Sequence, residues 1–316
     1  MISSSNGHQT TIARPVVLTG IGVHSGAAVK ATLLPGDADS GILFRRDVEG
    51  SLREIRAISA NVVSTDLCTA IGGAGGVMVG TIEHIMAAVS ALCVDNLTVE
   101  LDGPEMPIMD GSATAFVEAI DSVGLFDLGV KRRYLRVLKP VRVEMGGSWG
   151  EFVPHDRRRY EVDIDFDSPL IGRQAWKGDL DSETFREQLA RARTFGFMRD
   201  VERLWSAGYA LGASLDNAVV VGDDDRVINA EGLRFTDEFA RHKALDAVGD
   251  LALAGMPFIG TFRSYRGGHK LNAVALKALI DDASAYEIVE PAERGGRSQH
   301  GGLVAVSAPA AAPWSQ

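Results

Sequence analysis

Two segments of this sequence carry acids and histidines at spacings that suit metal-dependent chemistry. In GTIEHIMAAV, Glu83 stands next to His84 at the start of an otherwise apolar helix. Residues 234–255 predict a long helix on which His242 and Asp246 are four positions apart, so both side chains reach one ion from the same face. A catalytic zinc usually takes three protein ligands, and His84, His242 and Asp246 would supply that set.

Glu83 has a different role in this hypothesis. Neighbouring side chains on a helix diverge by about 100°, so Glu83 cannot point in the same direction as His84. It would instead act from the side, as a general base on a water molecule next to the ion.

Both segments also have a plainer interpretation. The helix dipole favours an acid in the first turn, so Glu83 and His84 are also typical of a helix start with a hydrogen-bonded histidine. His242 and Asp246 are also typical of a solvated helix face, where such pairs contribute little. The usual two-histidine zinc motif, HExxH, is absent, because Ile-Met-Ala-Ala follows His84. The residues alone leave both interpretations open.

The seven histidines differ in their expected surroundings. His8 and His300 lie in segments that we expect to be flexible, and His155 lies in a charged loop. The others occur in helical or glycine-flanked contexts and are the candidates for chemistry: His24, His84, His242 and His269.

Composition bounds the class of function. The 316 residues suit two domains, and the formal net charge of −10 argues against nonspecific nucleic-acid binding, which needs a basic footprint. Cys68 and Cys93 are the only cysteines and form no Cys-x-x-Cys motif, which excludes a disulfide scaffold and a thiolate zinc site. We expect no secretory signal and no membrane span, because no apolar run approaches the roughly 20 residues that a span requires. The cytoplasm is therefore the expected compartment.

The pattern of the chain predicts two successive α/β halves. Strands are expected near residues 15–18, 27–34, 94–101, 135–145, 160–167, 218–222 and 259–262. Helices are expected near residues 81–93, 112–124, 181–192 and 236–254. The basic, loop-like segment LGVKRR (128–133) is the best domain boundary. The expected units are an N-terminal domain, 1–130, a C-terminal domain, 131–286, and a flexible tail, 287–316.

Several unusual strings carry a family resemblance over nearly the whole chain, from about Gln9 to about Leu279. In order they are TIEHIMAAVSAL, DNLTVELDGPEMPIMDGSATAFVEAI, RTFGFMRDVE, GLRFTDEFARHKALDAVGDLAL and RGGHKLN. Together they closely resemble the UDP-3-O-acyl-N-acetylglucosamine deacetylase family. The resemblance implies a zinc-dependent amide hydrolase that removes the N-acetyl group of an acylated UDP-amino sugar, the committed step of lipid A biosynthesis.

Carried over residue by residue, the resemblance implies three sets of side chains. The zinc ligands are His84, His242 and Asp246. The catalytic groups are Glu83 as general base, His269 as general acid, Asp250 as the support of that histidine, and Thr194 near the oxyanion. The substrate contacts are Phe195, Lys243 and Asp216. The glycine-rich stretch GGAGGVMVG (72–80) departs from the many family members that carry polar residues there.

The resemblance also implies an α+β fold of two α/β domains, with helices sandwiched between two small sheets and an insert in each domain. The second insert would form an apolar passage for the acyl chain, and residues 195–215 are its candidate, although ordinary core packing explains such a composition equally well. We expect a monomer that binds a small-molecule substrate and makes at most transient contact with a membrane surface. The His, His, Asp donor set also suits Fe(II) in place of zinc.

Three other functions compete with this interpretation. Gly75 to Thr81 has the outline of a phosphate-binding loop, which would indicate a nucleotide-binding, kinase-like protein, but the lysine that should precede Thr81 is missing. A homologue with a purely structural zinc is disfavoured, because the general base and general acid positions are both filled. A deacetylase of the same mechanism that acts on another acylated amino sugar is the alternative that the sequence excludes least.

Overall fold

A computed structural model describes residues 7–291 and 303–305 of the chain. The strands of the first half are β1 His8–Ile12, β2 Val16–Ile21, β3 Ala28–Pro35, β4 Ile42–Val48, β5 Ser51–Arg56, β6 Val62–Ser64, β7 Ala70–Gly72, β8 Met78–Val79, β9 Leu97–Leu101 and β10 Leu125–Lys131. The later strands are β11 Tyr134–Val137, β12 Val141–Met145, β13 Ser148–Val153, β14 Arg158–Asp165, β15 Arg173–Asp179, β16 Phe195–Phe197, β17 Val219–Val221, β18 Phe258–Tyr265, β19 Tyr286–Pro291 and β20 Leu303–Ala305.

Six α-helices complete the described structure of residues 7–291. They are α1 Glu83–Ala91, α2 Thr114–Val123, α3 Ser182–Thr184, α4 Val201–Ser206, α5 Glu238–Leu251 and α6 His269–Asp281. A π-helical turn, Phe185–Leu189, continues α3, and a 3-10 turn, Ala252–Ala254, continues α5.

The first half is organised around a five-stranded sheet with the strand order β2-β3-β9-β4-β5. Its central strand β9 runs antiparallel to β3 and parallel to β4. All residues of β9 except Glu100 are buried, as expected for a strand with layers on both faces. Two smaller pieces flank this sheet: β6, β7 and β8 form a three-stranded sheet, and β1 pairs with β10.

The second half is organised around an eight-stranded sheet that begins at β12 and runs through β13, β18, β11 and β19 to β20. Strand β14 is attached to β18, and β15 pairs with β14. Strand β18, FIGTFRSY, is the central strand of this sheet, because it pairs with β11, β13 and β14. Phe262 of β18 is fully buried, and its ring lies 5.1 Å from that of Phe152 on β13. Such buried aromatic contacts form the core of this half.

The helices lie between the two sheets. Helix α1 is buried on nearly all sides, as expected for a helix between layers rather than on a surface. It packs against α5, which in turn contacts α6, β14 and β15. At Gly249 of α5 an added Cβ atom would lie 2.0 Å from the backbone oxygen of Glu83, so the two helices touch through their backbones there. The expected α+β fold, with helices layered between two sheets, is confirmed.

The structure differs from the predicted elements at both ends of the first half. LGVKRR is no loop: residues up to Lys131 belong to β10, which pairs with β1. His8 is likewise not in a flexible end, because it lies in β1 and its Nδ1 atom is 3.1 Å from Asp127 Oδ1. Both errors have one cause, since a pairing between strands more than a hundred residues apart leaves no local signature.

The predicted flexible tail, 287–316, does not begin at residue 287. Residues 287–291 belong to β19, which pairs with β11 on one side and with β20 on the other. The remainder of the tail, including His300, lies outside the described residues, apart from β20. Within residues 7–291 and 303–305, no helix has the length and apolar character needed to cross a bilayer.

Candidate metal centre

Helices α1 and α5 bring three predicted metal ligands together. One ligand atom from each of His84, His242 and Asp246 lies within 4.8 Å of the other two. The side chains come from the two halves of the chain and are at most 3% exposed. The alternative of a solvated helix face is therefore wrong for α5, because its polar side faces the protein interior.

The donor atoms of this cluster fit a metal ion. Asp246 Oδ1 is buried and has no hydrogen-bond partner within the described residues. His242 Nε2 lies 3.3 Å from that oxygen and His84 Nε2 lies 3.8 Å from it. His242 Nδ1–H donates to the backbone oxygen of Ala192 at 3.1 Å, which leaves the Nε2 lone pair free, as in many metal-binding histidines.

The electrostatics favour the ligand forms of all three residues. Burial, with His242 nearby, lowers the pKa of His84 to about 3. Burial also lowers the pKa of His242. Burial alone would raise the pKa of Asp246, but His242 and the ammonium of Lys243 outweigh it and hold that pKa below its usual range. Neutral imidazoles and an ionised carboxylate are the forms that bind a metal ion.

Lys243 leaves one oxygen of this carboxylate available. Its Nζ atom donates to Asp246 Oδ2 at 2.9 Å, so the second oxygen, Oδ1, is the one that points into the cluster. The ammonium therefore compensates part of the buried charge without occupying the ligand position.

Glu83 lies at the edge of the cluster with its carboxylate held by the backbone. Its side chain is 3% exposed, and Oε2 accepts a hydrogen bond from the Thr69 N–H at 3.0 Å. Burial raises the pKa of Glu83 to about 7; His269 opposes the rise, and Asp246 and Asp250 add to it. A carboxylate whose pKa lies near neutrality is suited to accept a proton and give it up again.

His269 and Asp250 form a second buried pair beside the ligands. His269 begins α6, and its Nδ1–H donates to Asp250 Oδ2 at 3.0 Å. Burial alone would lower the pKa of His269, but Asp250 and Asp246 outweigh it and raise that pKa to about 9. The imidazole is therefore a cation near neutral pH and has a proton to donate from Nε2.

Two positioning residues were missed by the sequence analysis. Thr69 connects Glu83 with the pair of His269 and Asp250. Its N–H donates to Glu83 Oε2, and its hydroxyl donates to Asp250 Oδ1 at 2.5 Å. Asn272 Nδ2 donates to Asp250 Oδ2 at 2.8 Å. Asn272 follows His269 by three positions, one helical turn, so the RGGHKLN string contained a usable signal for it. Thr69 lies in no recognisable motif.

Phe195 and Lys243, the predicted substrate contacts, lie beside the ligands, and Thr194 precedes Phe195 in the chain. The Phe195 ring centroid is 6.3 Å from that of His242, and Lys243 Nζ lies 5.6 Å from the Phe195 centroid. The preceding loop is fastened to the start of α5, because the buried Arg193 Nε donates to Glu238 Oε1 at 2.9 Å. Thr194 is half-buried, and its N–H donates to Gly111 O at 2.7 Å.

Asp216 is not brought into this cluster by any contact within the described residues. It is exposed, and its N–H donates to the Ser214 hydroxyl at 3.2 Å.

The segment 195–215 contains a group of exposed apolar side chains, so core packing does not explain its composition. After β16 it forms a 3-10 turn and α4. Its exposed apolar residues are Met198, Trp205, Tyr209, Leu211 and Leu215. The segment is joined to the first half of the chain, because the Leu211 N–H donates to the His24 backbone oxygen at 3.1 Å.

Residues Gly75 to Thr81 do not form a phosphate-binding loop. They contain a 3-10 turn and β8, which belongs to an antiparallel three-stranded sheet. The Thr81 hydroxyl, which would bind the metal of a nucleotide, instead donates to Glu105 Oε1 at 2.7 Å. The nucleotide-binding alternative therefore lacks both its lysine and its loop.

Comparison with known proteins identifies a family. A family model described as LpxC: UDP-3-O-acyl N-acetylglycosamine deacetylase matches residues 9–281. Relatives named UDP-3-O-acyl-N-acetylglucosamine deacetylase are 60% identical over 285 residues in Brucella ovis and in Brucella abortus strain 2308, and 59% identical in Brucella melitensis biotype 2. Each alignment covers 90% of this chain and 99% of the relative. The matched range includes every side chain of the cluster.

Proposed function

This chain belongs to the UDP-3-O-acyl N-acetylglycosamine deacetylase family, and we propose that it hydrolyses the N-acetyl group of UDP-3-O-acyl-N-acetylglucosamine. The products are acetate and the free amino sugar, and the reaction is the committed step of lipid A biosynthesis. The observation that carries the proposal is the buried cluster of His84, His242 and Asp246, with an acid and a base beside it.

The three clustered side chains hold a divalent metal ion, and we assign zinc. Two neutral imidazoles and one carboxylate are a common donor set for catalytic zinc, and the same set also accepts Fe(II). When bound, the ion polarises the amide carbonyl and makes a neighbouring water molecule more acidic.

Glu83 is the general base in this mechanism. It takes a proton from the attacking water as the oxygen bonds to the carbonyl carbon of the acetamide. Thr69 fixes the carboxylate through Oε2, which leaves Oε1 to receive the proton. The pKa of about 7 lets Glu83 be ionised in neutral solution and still hold the proton for a moment.

His269 is the general acid. As the carbon–nitrogen bond breaks, the leaving amine nitrogen takes the proton from His269 Nε2, and acetate and amine are the products. Asp250 keeps this imidazole cationic and oriented through Nδ1. Thr69 and Asn272 hold Asp250 in turn, so they position the acid without touching the substrate.

The substrate contacts follow from the neighbours of the ligands. We assign Thr194 to the developing oxyanion and Phe195 to the sugar or acyl portion. Lys243, a half-buried ammonium, attracts the diphosphate. Asp216 would reach the substrate only from an exposed loop. The exposed apolar residues of segment 195–215 suit contact with the acyl chain, because an apolar chain removes them from water.

We also propose the division of labour along the chain and its cellular setting. Residues 1–130 supply the base and the first ligand, and residues 131–286 supply the other ligands and the acid. The protein acts in the cytoplasm as a monomer, with transient contact at the membrane surface where its acylated substrate partitions.

An assay of acetate release from UDP-3-O-acyl-N-acetylglucosamine tests this function. The zinc-loaded protein should release one acetate per substrate, and removal of the 3-O-acyl chain should lower kcat/KM strongly. Equal kcat/KM for the unacylated sugar would favour the competing function, a deacetylase of the same mechanism with another amino-sugar substrate.

A further inference from the structure

A cavity of about 280 Å³ lies between the two halves, away from the metal centre. The first half contributes the C-terminal part of α1 and the segment that follows it, including Met86, Val89 and Cys93. The second half contributes the end of the α5 region and the start of β18, including Ala252 and Phe258. No metal ligand lines the cavity, and neither Glu83 nor His269 does. The proposed reaction gives this cavity no role.

The inner wall of this cavity is apolar. Met86 and Val89 are each 1% exposed, Phe258 is 3% exposed and Ile58 is 7% exposed. Met86, Val89 and Phe258 belong to the packed core, and all four residues border the open space. The cavity is close in volume to the smallest pockets that bind small molecules, which begin at about 300 Å³.

The polar part of the lining has arginines whose charge is not compensated. Two lining arginines are ion-paired: Arg132 with Asp95 at 2.7 Å and Arg133 with Asp39 at 2.9 Å. The third lining acid, Asp181, accepts the Thr184 N–H at 2.7 Å and so caps a helix. Two of the three lining acids are thus paired with arginines, and the lining as a whole has four arginines against three acids.

Arg56 and Arg158 are different. Arg56 donates to the Ser40 backbone oxygen at 3.0 Å, and Arg158 donates to the Ser90 hydroxyl at 3.2 Å. Both acceptors are neutral, and within residues 7–291 neither guanidinium lies in an ion pair with a carboxylate. Arg56 is exposed and Arg158 is half-buried, so two guanidinium groups without an ion pair lie at the cavity, one of them in contact with solvent. Arginine matches the planar oxygens of carboxylate and phosphate groups.

We propose that this cavity binds an amphiphilic anion, with an apolar chain against Met86 and Val89 and a carboxylate or phosphate head at Arg56 and Arg158. An apolar wall next to uncompensated cations is complementary to such a molecule. It is not complementary to a neutral lipid or to a free inorganic anion, each of which would satisfy only one part of the lining.

Cys93 provides a local probe of occupancy. It lines the cavity and is half-buried, whereas Cys68 is buried and does not line the cavity. The rate of Cys93 alkylation by iodoacetamide should fall at least about tenfold when laurate or dodecyl phosphate, below the micelle concentration, saturates the site. The head group that protects Cys93 at the lower concentration identifies the natural ligand as a carboxylate or a phosphate. Dodecanol and inorganic phosphate should not protect.

Variants separate this site from the acyl-binding surface of the enzyme. Arg158→Gln should weaken laurate protection about tenfold, the usual scale for loss of one charge-assisted contact. The matched control Arg142→Gln removes a surface arginine on β12 that pairs with Glu144 and should change nothing. Ala252→Phe should fill the cavity. In calorimetric titration with laurate, wild type should bind one more equivalent than Ala252→Phe, whether or not Cys93 is reactive.

The proposal is overturned by equal laurate stoichiometry in wild type and Ala252→Phe. It is also overturned if dodecanol or inorganic phosphate protects Cys93 as well as laurate does. Inhibition of deacetylation by laurate with no change in Cys93 alkylation or in stoichiometry would place the anion at the active site alone, which contradicts a second site. Acetate release in Arg158→Gln should stay at the wild-type level, so failure here leaves the proposed function untouched.

Discussion

At the residue scale, Glu83 and His269 both have raised pKa values, for different physical reasons. Burial disfavours the charged form of each side chain, which raises the pKa of a carboxylic acid and lowers that of an imidazole. Glu83 follows burial, whereas the carboxylates of Asp250 and Asp246 reverse the effect of burial on His269. One buried environment thus yields an ionisable base and a cationic acid.

Replacement of Glu83 by Gln should separate metal binding from turnover. The amide keeps the size of the side chain but cannot accept the proton, so kcat should fall by about 10²- to 10⁴-fold, the usual worth of a general base. Metal content should stay near that of wild type, because Glu83 is not a ligand. Metal analysis and acetate release on the same preparation check this, and His242→Ala is the comparison that should lose both.

The pH dependence of kcat/KM should be bell-shaped. Activity needs ionised Glu83, so it rises as pH passes the Glu83 pKa, and it needs protonated His269, so it falls as pH passes the His269 pKa. The two values, about 7 and about 9, set upper bounds for the limbs, since the positive charge of a bound ion lowers both. A profile that His269→Ala leaves unaltered would contradict the acid assignment.

Asp250→Asn should move the alkaline limb most, and the acid limb less, because the Asp250 carboxylate also contributes to the raised pKa of Glu83. The amide removes the carboxylate charge that raises the pKa of His269, so the imidazole loses its proton at lower pH and the limb shifts in that direction. The exposed α6 variant Lys277→Ala is the control and should leave both limbs in place. An alkaline limb that does not move in Asp250→Asn would show that another group controls it.

The metal-ligand candidates were easier to predict from the sequence than the residues that hold Glu83 and Asp250 in place. The spacing in α5 and the neighbours in GTIEHIMAAV made a metal site one of two open interpretations, and the family resemblance favoured it; those side chains lie on regular helices. Thr69 was not predicted, because it contacts Glu83 and Asp250 only in the tertiary fold, at sequence separations of 14 and 181 residues. No local pattern encodes such a contact.

At the element scale, the active site depends on the close approach of α1 and α5. Glycine at position 249 lets the backbone of α5 touch the backbone oxygen of Glu83, the residue beside the first ligand. A glycine in a helix interior normally costs about 1 kcal/mol relative to alanine, so this one is retained for packing.

Gly249→Ala should therefore destabilise the protein, against the usual trend. The new Cβ would lie 2.0 Å from Glu83 O, so the helices must separate, at a cost near the upper end for overpacking, about 3 kcal/mol. Denaturant unfolding measures the loss, and metal affinity should fall with it. Gly150→Ala is a matched control, since its Cβ would meet side-chain atoms at 3.5 Å, an ordinary contact. Equal stability of Gly249→Ala and wild type would disprove the close approach.

Local sequence patterns predicted α1, α2 and α5, but they did not predict α4 or α6, the helix that begins at His269. Helices α1 and α5 lie within the expected segments because their apolar periodicity is local. Strand β10 was taken for a loop because its polar, glycine-containing sequence is stabilised by pairing with β1, at the other end of the first half. Strand β19 was assigned in part to a tail for the same reason.

At the scale of the whole molecule, the proposed metal ion would join the two halves. One ligand comes from α1 and two come from α5, and in the absence of an ion Asp246 Oδ1 is a buried acceptor without a partner among the described residues. Binding to the folded state alone must therefore stabilise the fold.

Metal removal should lower the thermal midpoint of the protein. At a metal concentration of about 100 times Kd, the ion contributes about 2.7 kcal/mol, which corresponds to a shift of about 4 °C in a chain of this length. Thermal unfolding with and without a chelator measures the shift, and added zinc should restore it. His84→Ala should show no response to chelator, and an unchanged wild-type midpoint would mean that the cluster binds no ion.

The most direct test of the whole account is a zinc titration of metal-stripped protein, followed by acetate release from UDP-3-O-acyl-N-acetylglucosamine. Activity should be absent without metal and should rise to a plateau at one equivalent of zinc per chain. The variant His242→Ala should show no such plateau. Full activity in the metal-stripped protein, or a plateau that does not depend on His242, would contradict the assignment of His84, His242 and Asp246 as the catalytic metal site.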